Sequence, residues 1–459
     1  MANDLFGTTG VRKVYGSEFT LDMAMKLGKA LGTYLQTGKI LIARDTRTTG
    51  KMVVDAFVAG VLSTGVDVTR LGIVPTPTLA YLTKKMGFDA GVMVTASHNP
   101  PEYTGIKFWH RDSMGYTSEM EKELETLYTS GGFKVAPWNE LGQEAVLGDA
   151  VEKHIVDIID HCDSEAINRK EFKVIVDPGN GAACVLTPYL VRELGCKVVT
   201  INGQPDGHFP GRESEPEEET LQALIHMVRK QGADLGIAHD GDSDRGVFVT
   251  ETGEVVRGDR TIALLAKTLL KKEKGSTVVT TVDSSKVLDE IVQKTGGDIV
   301  RTPVGDIQVA VKLKELGGIM GGEACGVFIF PSFHMAPEPF LAACKILEMM
   351  AHTGKSFGVL VSEIPIYPLL KTKLQVANDK KKVVMQELSG ILPKEIDGIQ
   401  DVITVDGIGL VLDDGWVLVR PSGTEPVIRI TCEATTDDRV HEILDSCEQV
   451  VRKTIASQK

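Results

Sequence analysis

Apolar residues along the chain alternate between two periods. Leu27, Leu31, Tyr34 and Leu35 share one helical face, and the run Ile40-Leu41-Ile42-Ala43 then reads as a strand. A helix from about Met52 to Leu62, a strand near Val66-Asp67-Val68, a helix from about Pro77 to Met86 and the strand Gly91-Val92-Met93-Val94-Thr95 continue the rhythm. It restarts at Lys173-Val174-Ile175-Val176 and passes through Val198-Val199-Thr200-Ile201 to Leu235-Gly236-Ile237-Ala238. A third round runs from Thr277-Val278-Val279-Thr280-Thr281 through Asp298-Ile299-Val300 to Gly318-Ile319-Met320. Helices packed on mixed sheets explain this order. From about Lys371 the order becomes strand, helix, several strands, helix, and Tyr367-Pro368 is a natural boundary. The expected fold class is α/β. Three related mixed α/β domains are placed at 1–150, 151–255 and 256–367, followed by an α+β domain at 368–459.

Composition narrows the function classes. A chain of 459 residues exceeds one ordinary core. No apolar run approaches a membrane span, and Met1-Ala2-Asn3-Asp4-Leu5 lacks the basic-then-apolar layout of a leader, so a cytoplasmic protein away from membranes is expected. Seven scattered cysteines without a CxxC pair argue against a disulfide framework and a thiolate zinc site. A net charge of −13 with no broad basic face argues against nucleic acid. Lys380-Lys381-Lys382 reads as a solvated helix face. An anionic small substrate stays open, because a cleft can be locally positive on an acidic protein.

Candidate chemistry sits on four loops, each after a strand. In Thr95-Ala96-Ser97-His98-Asn99-Pro100-Pro101, Ser97 is either an exposed nucleophile or part of a plain Ser/Asn turn. His98 adjoins it, as an ordinary turn histidine or as a helper in catalysis. In Asp240-Gly241-Asp242-Ser243-Asp244-Arg245, carboxylates at alternate positions point to one hard cation. An EF-hand fails there, since Arg245 replaces the required glycine and Gly246-Val247-Phe248-Val249-Thr250 reads as a strand. A phosphatase using Asp240 as nucleophile and a solvated acidic turn are the other readings. In Gly321-Gly322-Glu323-Ala324-Cys325-Gly326, one carboxylate suits vicinal sugar hydroxyls, and a glycine-rich hairpin is the plain alternative. In Arg420-Pro421-Ser422-Gly423-Thr424-Glu425-Pro426, backbone amides, two hydroxyls and the guanidinium groups of Arg420 and Arg429 suit a phosphate. Gly179-Asn180-Gly181-Ala182-Ala183-Cys184 mimics a dinucleotide fingerprint, but Cys184 replaces the last glycine and Asn202 replaces the acidic ribose ligand, so a tight strand-to-helix turn is expected.

In this order the four loops resemble those of the α-D-phosphohexomutase superfamily, which includes phosphomannomutase/phosphoglucomutase and phosphoglucosamine mutase. Phe6-Gly7-Thr8-Thr9-Gly10-Val11-Arg12, Ala43-Arg44-Asp45-Thr46-Arg47, Phe209-Pro210-Gly211-Arg212 and Val304-Gly305-Asp306 resemble family segments too. The resemblance implies four domains around a central cleft and interconversion of hexose 1- and 6-phosphates. Ser97 would be the phosphoserine, and Asp240, Asp242 and Asp244 with a phospho-Ser97 oxygen would hold Mg2+. Arg12, Lys107 and His98 would assist transfer. Arg245, Glu323 and Cys325 would face the sugar, and Arg420, Ser422, Gly423, Thr424 and Arg429 would hold the distal phosphate. A hexose 1,6-bisphosphate would be intermediate and activator, with a monomer or homodimer as the working form. Lys13, Ser243, Cys325, Val327 and Pro337-Glu338-Pro339 depart from the family pattern, mostly at the sugar loop. They leave glucosamine, mannose and glucose phosphates open as substrates. Cys325 and Val327 also motivate a rival, a non-catalytic sugar-phosphate sensor, beside the Mg2+-dependent phosphatase through Asp240.

Overall fold

The computed structural model describes residues 5–7, 10–422 and 426–458. Among these, the strands form four sheets. The first joins β1 (Val11–Val14), β2 (Lys39–Arg44), β3 (Asp67–Ile73), β4 (Ala90–Val94), β5 (Tyr103–His110) and β6 (Glu144–Val146) in the order β1-β5-β4-β2-β3-β6. The second joins β7 (Lys173–Asp177), β8 (Lys197–Thr200), β9 (Leu235–His239), β10 (Gly246–Thr250) and β11 (Val255–Val256) in the order β11-β10-β9-β7-β8. The third joins β12 (Thr277–Thr281), β13 (Asp298–Thr302), β14 (Met320–Glu323) and β15 (Val327–Ile329) in the order β13-β12-β14-β15.

These three sheets share one device. A parallel core strand, β4, β9 or β14, turns back into an antiparallel neighbour, β5, β10 or β15. The turn carries Ser97 in the first sheet, the three aspartates in the second and the Glu323-Ala324-Cys325 run in the third. The architecture is therefore the expected one of three related mixed α/β units.

The fourth sheet is antiparallel throughout. It joins β16 (Leu369–Gln375), β17 (Ile399–Ile403), β18 (Ile408–Leu412), β19 (Gly415–Pro421) and β20 (Val427–Ala434), ordered β16-β20-β19-β18-β17. The helices Lys381–Glu395 and Asp437–Ser457 complete its α+β unit. One continuous apolar core runs from Leu41 and Trp109 through Val174 and Ile237 to Phe328 and Phe340, so the first three units pack as a body. The fourth has its own core around Leu388, Val417, Ile428 and Cys447.

One local reading changes. Gly321 and Gly322 belong to β14 and not to a loop. A Cβ on Gly321 would lie 2.7 Å from the Val279 carbonyl oxygen, and one on Gly322 would lie 2.1 Å from that of Val327. The glycines thus let β14 fit between its neighbours and carry Glu323 to the strand end. Among the described residues no helix is long and apolar enough to cross a membrane.

Candidate active site

Ser97 is almost fully buried and sits at φ +53°, a left-handed conformation that a serine holds only under constraint. The constraint is Arg47. Its guanidinium donates to the carbonyls of Ser97 at 2.8 Å, Asn99 at 2.5 Å, Pro100 at 2.5 Å and Tyr103 at 3.0 Å. Buried Asp45 orients Arg47 from 3.1 Å and also accepts from the Thr95 hydroxyl, which in turn accepts the Ser97 amide. Ser214 Oγ donates to the Ser97 carbonyl at 3.2 Å. The Ser97 hydroxyl is left free to donate to Asp240 Oδ2 at 3.0 Å. Arg47, Asp45 and Ser214 were not among the expected site residues. Only the family-like run Ala43-Arg44-Asp45-Thr46-Arg47 hinted at the first two.

Asp240, Asp242 and Asp244 each bring a carboxylate oxygen within 4.8 Å of the others, and all three are buried. The turn is fixed by neighbours. Thr76 donates its hydroxyl to Asp242 at 2.8 Å, and Ala182 donates its amide to the Gly241 carbonyl at 2.9 Å. A Cβ on Gly181 would lie 2.6 Å from that same carbonyl, so the Gly179-Asn180-Gly181 turn serves as a buttress for this loop. Burial, then Asp244 and Asp242, pushes the Asp240 carboxyl well above its usual range. Lys107 answers part of the charge, with Nζ 2.8 Å from both Asp242 and Asp244. Burial alone would lower the Lys107 ammonium, but these two carboxylates hold it above its usual range. Asp242 Oδ1 is buried without a hydrogen-bond partner. Crowded carboxylates with a free oxygen suit a hard divalent cation. The charges of Asp242, Asp244, Arg245 and Asp306 all act on Arg12. Arg12 pairs with Gly105 across β1 and β5, two positions from Lys107.

At the next loop, Glu323 Oε1 accepts the Gly305 amide at 2.8 Å, and Cys325 Sγ lies 3.9 Å from Glu323 Oε2 with its side chain exposed. Arg245 donates to both oxygens of Glu215 at 2.5 and 2.6 Å. His98 Nδ1 is 3.5 Å from the same carboxylate, so His98 joins the Arg245 group. Burial, reinforced by Arg245, Arg12 and Lys107, lowers His98 to about 2, which keeps the ring neutral.

The fourth loop brings two arginines together. Arg420 and Arg429 face each other in register across β19 and β20, so their guanidinium groups start from neighbouring positions. Ser422 is buried beside them. Gly423 and Thr424 lie outside the described residues. Lys381 donates to the Ser422 carbonyl at 2.6 Å. At least this member of the Lys380-Lys381-Lys382 run therefore faces the Arg420-Pro421-Ser422 segment and not solvent alone.

A second buried cluster, His154, His334 and Glu338, also has its ligand atoms within 4.8 Å. Hydrogen bonding explains it better than a metal. The Ala336 amide donates to His334 Nδ1 at 3.2 Å, so Nε2 carries the proton and donates to Glu338 Oε2 at 2.8 Å. His154 Nε2 lies 3.0 Å from the same oxygen, and Thr78 Oγ1 lies 2.9 Å from Nδ1. Burial alone would raise the Glu338 carboxyl, but His154 and His334 bring it down to about 2. A depressed carboxyl contributes stability above its unfolded value, and that stability is lost as pH falls through about 2. Burial also lowers His334, so protonation on unfolding adds to the acid loss. In urea titrations Glu338→Gln is expected to flatten this acid limb. Glu338→Ala is expected to cost about 3 kcal/mol at neutral pH by leaving buried donors unpaired.

Three related α/β units and a C-terminal α+β unit, with these loops in this order, define a phosphohexomutase architecture. Family models for Phosphoglucomutase/phosphomannomutase alpha/beta/alpha domains I, II and III match residues 3–135, 152–253 and 257–367, and the C-terminal domain model matches residues 372–450. The chain belongs to the phosphoglucomutase/phosphomannomutase family. It is 44% identical over 450 residues to a probable phosphoglucosamine mutase of Pyrococcus abyssi, covering 98% of both chains. It is 44% identical over 448 residues to a phosphoglucomutase/phosphomannomutase of Thermococcus kodakarensis, covering 96% of this chain and 97% of that one. Among solved structures it resembles a phosphoglucomutase/phosphomannomutase family protein of Burkholderia thailandensis, with TM-score 0.89, 27% identity and coverage of 98% and 97%.

Proposed function

We propose that the protein interconverts hexose 1-phosphate and hexose 6-phosphate, with Ser97 as the phosphoryl carrier. The observation behind this is the hydroxyl of a conformationally constrained serine 3.0 Å from Asp240, in a cluster of three buried carboxylates. Phospho-Ser97 gives its phosphoryl group to the free hydroxyl of a hexose monophosphate. The new sugar O–P bond forms as the Oγ–P bond breaks, and in the net reaction the sugar hydroxyl proton ends on the released Ser97 Oγ, which is again a hydroxyl. The bisphosphorylated sugar then turns over, and Ser97 takes the other phosphoryl group. Alignment and charge neutralisation carry such a transfer. Arg12 and Lys107 supply positive charge at the transferring group. Arg420 and Arg429 grip the phosphate that stays, with Gly423 and Thr424 beside them in sequence. Glu323, Cys325, Arg245 and neutral His98 meet the sugar hydroxyls. Asp240, Asp242 and Asp244 would hold Mg2+, which when bound neutralises charge on the phosphoryl oxygens. The Asp240 phosphatase reading is disfavoured because both Asp240 oxygens are engaged, one by the Ser97 hydroxyl and one by the Arg245 amide at 3.2 Å.

Relatives named probable phosphoglucosamine mutase make glucosamine phosphate the first substrate to assay. The test is a panel of glucosamine, mannose and glucose 1-phosphates with Mg2+ and a trace of the matching 1,6-bisphosphate. At least one is expected to give the 6-phosphate. If none does, and the sugars bind without turnover, the sensor reading replaces this one.

Burial, then Asp306 and Asp283, pushes the Glu323 carboxyl up to about 8. A raised carboxyl is protonated below that value, and only the ionised form accepts two sugar hydroxyls. The kcat/KM profile, which reports the free enzyme, is expected to rise through a limb near 8. Glu323→Gln should lose that limb. A wild-type profile with no limb there would remove Glu323 from the sugar contact.

A further inference from the structure

The C-terminal unit meets the third unit across a cavity of about 330 Å³ lined in part by Val282, Arg301, Leu410, Trp416 and Asp406. Contacts across this gap are polar and specific. Glu433 accepts the Lys286 amide across it at 2.8 Å, and is itself oriented within the C-terminal unit by Trp416 Nε1, which donates to it at 2.9 Å. Asp406 makes a second contact between the two units. It lies in the turn between β17 and β18, and its Oδ2 accepts the Val304 amide from the third unit at 3.2 Å. The same oxygen lies 3.7 Å from Arg420 Nη1. The next residue, Gly407, is at φ +88°, and a Cβ there would meet Arg420 Cβ at 2.8 Å, so this turn is seated on Arg420 itself. On the other side, the amide after Val304 is that of Gly305, which donates to Glu323. Successive amides of one strand-to-helix loop are thus taken by carboxylates of two domains. Gly305 is at φ +137°, a conformation open to glycine, which lets the amides point apart.

We propose that Asp406 is a positioning residue that couples the grip of Arg420 on the distal phosphate to the grip of Glu323 on the sugar. The inference rests on the phosphohexomutase reading. A bisphosphorylated intermediate must release one phosphate contact in order to turn while staying in the cleft. A link between the phosphate loop and the sugar loop keeps the C-terminal unit engaged during that step. Without the link, each grip works alone and the intermediate escapes. The chemical step at Ser97 lies outside this link and does not depend on it.

The test uses the full-length enzyme with the sugar phosphate it turns over. Asp406→Ala removes both contacts. Asp406→Asn keeps an oxygen for the Val304 amide and loses the charge facing Arg420. For Asp406→Ala, bisphosphate released per turnover, and the activator concentration giving half-maximal rate, should each rise on the order of tenfold. Asp406→Asn should fall between. Single-turnover transfer from phospho-Ser97 to hexose 1-phosphate should change by less than about twofold in both. Unchanged release and activator need in Asp406→Ala overturn the proposal, whether or not its melting temperature falls, because the residue then only closes a turn. Equal losses in single-turnover transfer overturn it as well. A wild-type enzyme that converts no hexose phosphate fails before any variant is made, and sinks the proposed function along with this coupling.

Discussion

Ser97→Ala is expected to abolish mutase turnover while leaving the fold intact. The hydroxyl is the only part of the residue that changes. Among the described residues it donates one hydrogen bond, to Asp240, whereas the loop is held through backbone groups by Arg47, Thr95 and Ser214. Alanine carries the same Cβ at φ +53°, so the backbone strain is the same before and after. Stability should therefore move by no more than about 1 kcal/mol. Turnover loses its carrier, and deleting a nucleophile costs on the order of 10⁶-fold when no other group takes over. Conversion of hexose 1-phosphate, followed with bisphosphate present and set beside the melting temperature, checks both halves. Full activity in Ser97→Ala with loss only in Asp240→Asn would instead support transfer through Asp240.

Arg47→Ala is expected to lose both stability and rate. Arg47 is 1% exposed and donates to four carbonyls of the Ser97 segment. Its removal also strands Asp45, whose carboxyl burial already raises and Arg47 opposes. Leaving a buried carboxylate and several carbonyls unpaired costs about 3–5 kcal/mol. The left-handed conformation of Ser97 then has little to maintain it. A displacement of the hydroxyl by about 1 Å lowers transfer on the order of 10²-fold. Arg47→Lys keeps the charge without the planar fork, so it should fall between the two. Urea unfolding and kcat, measured on the same preparations, test this. A stable Arg47→Ala enzyme with normal kcat would show that the turn holds itself.

Much of the site was legible because its chemistry is written locally. Ser97, the alternating aspartates and the Arg420-Pro421-Ser422 run are each contiguous, and each follows a readable strand. The order of elements in the C-terminal unit was readable for the same reason. What stayed hidden depends on residues far apart in sequence. Ser214 reaches Ser97 across 117 positions, and Thr76 reaches Asp242 across 166. No period or motif announces such pairs. The Gly321-Gly322 pair misled because glycine marks loops and crowded strands alike, and only the neighbouring carbonyls decide. Lys381 looked like part of a solvated run because charge patterning does not say what a helix faces. The equivalence of the Ser97, Asp240 and Glu323 turns rests on strand pairing, which the apolar rhythm does not encode.

The most direct measurement is phosphopeptide mapping of the enzyme as purified and after brief exposure to each sugar ligand. One phosphoryl group is expected on the peptide containing Ser97. Hexose monophosphate should deplete it and hexose 1,6-bisphosphate should restore it. A phosphoryl group on the Asp240 peptide instead, or steady mutase turnover with Ser97 never phosphorylated, would contradict the account.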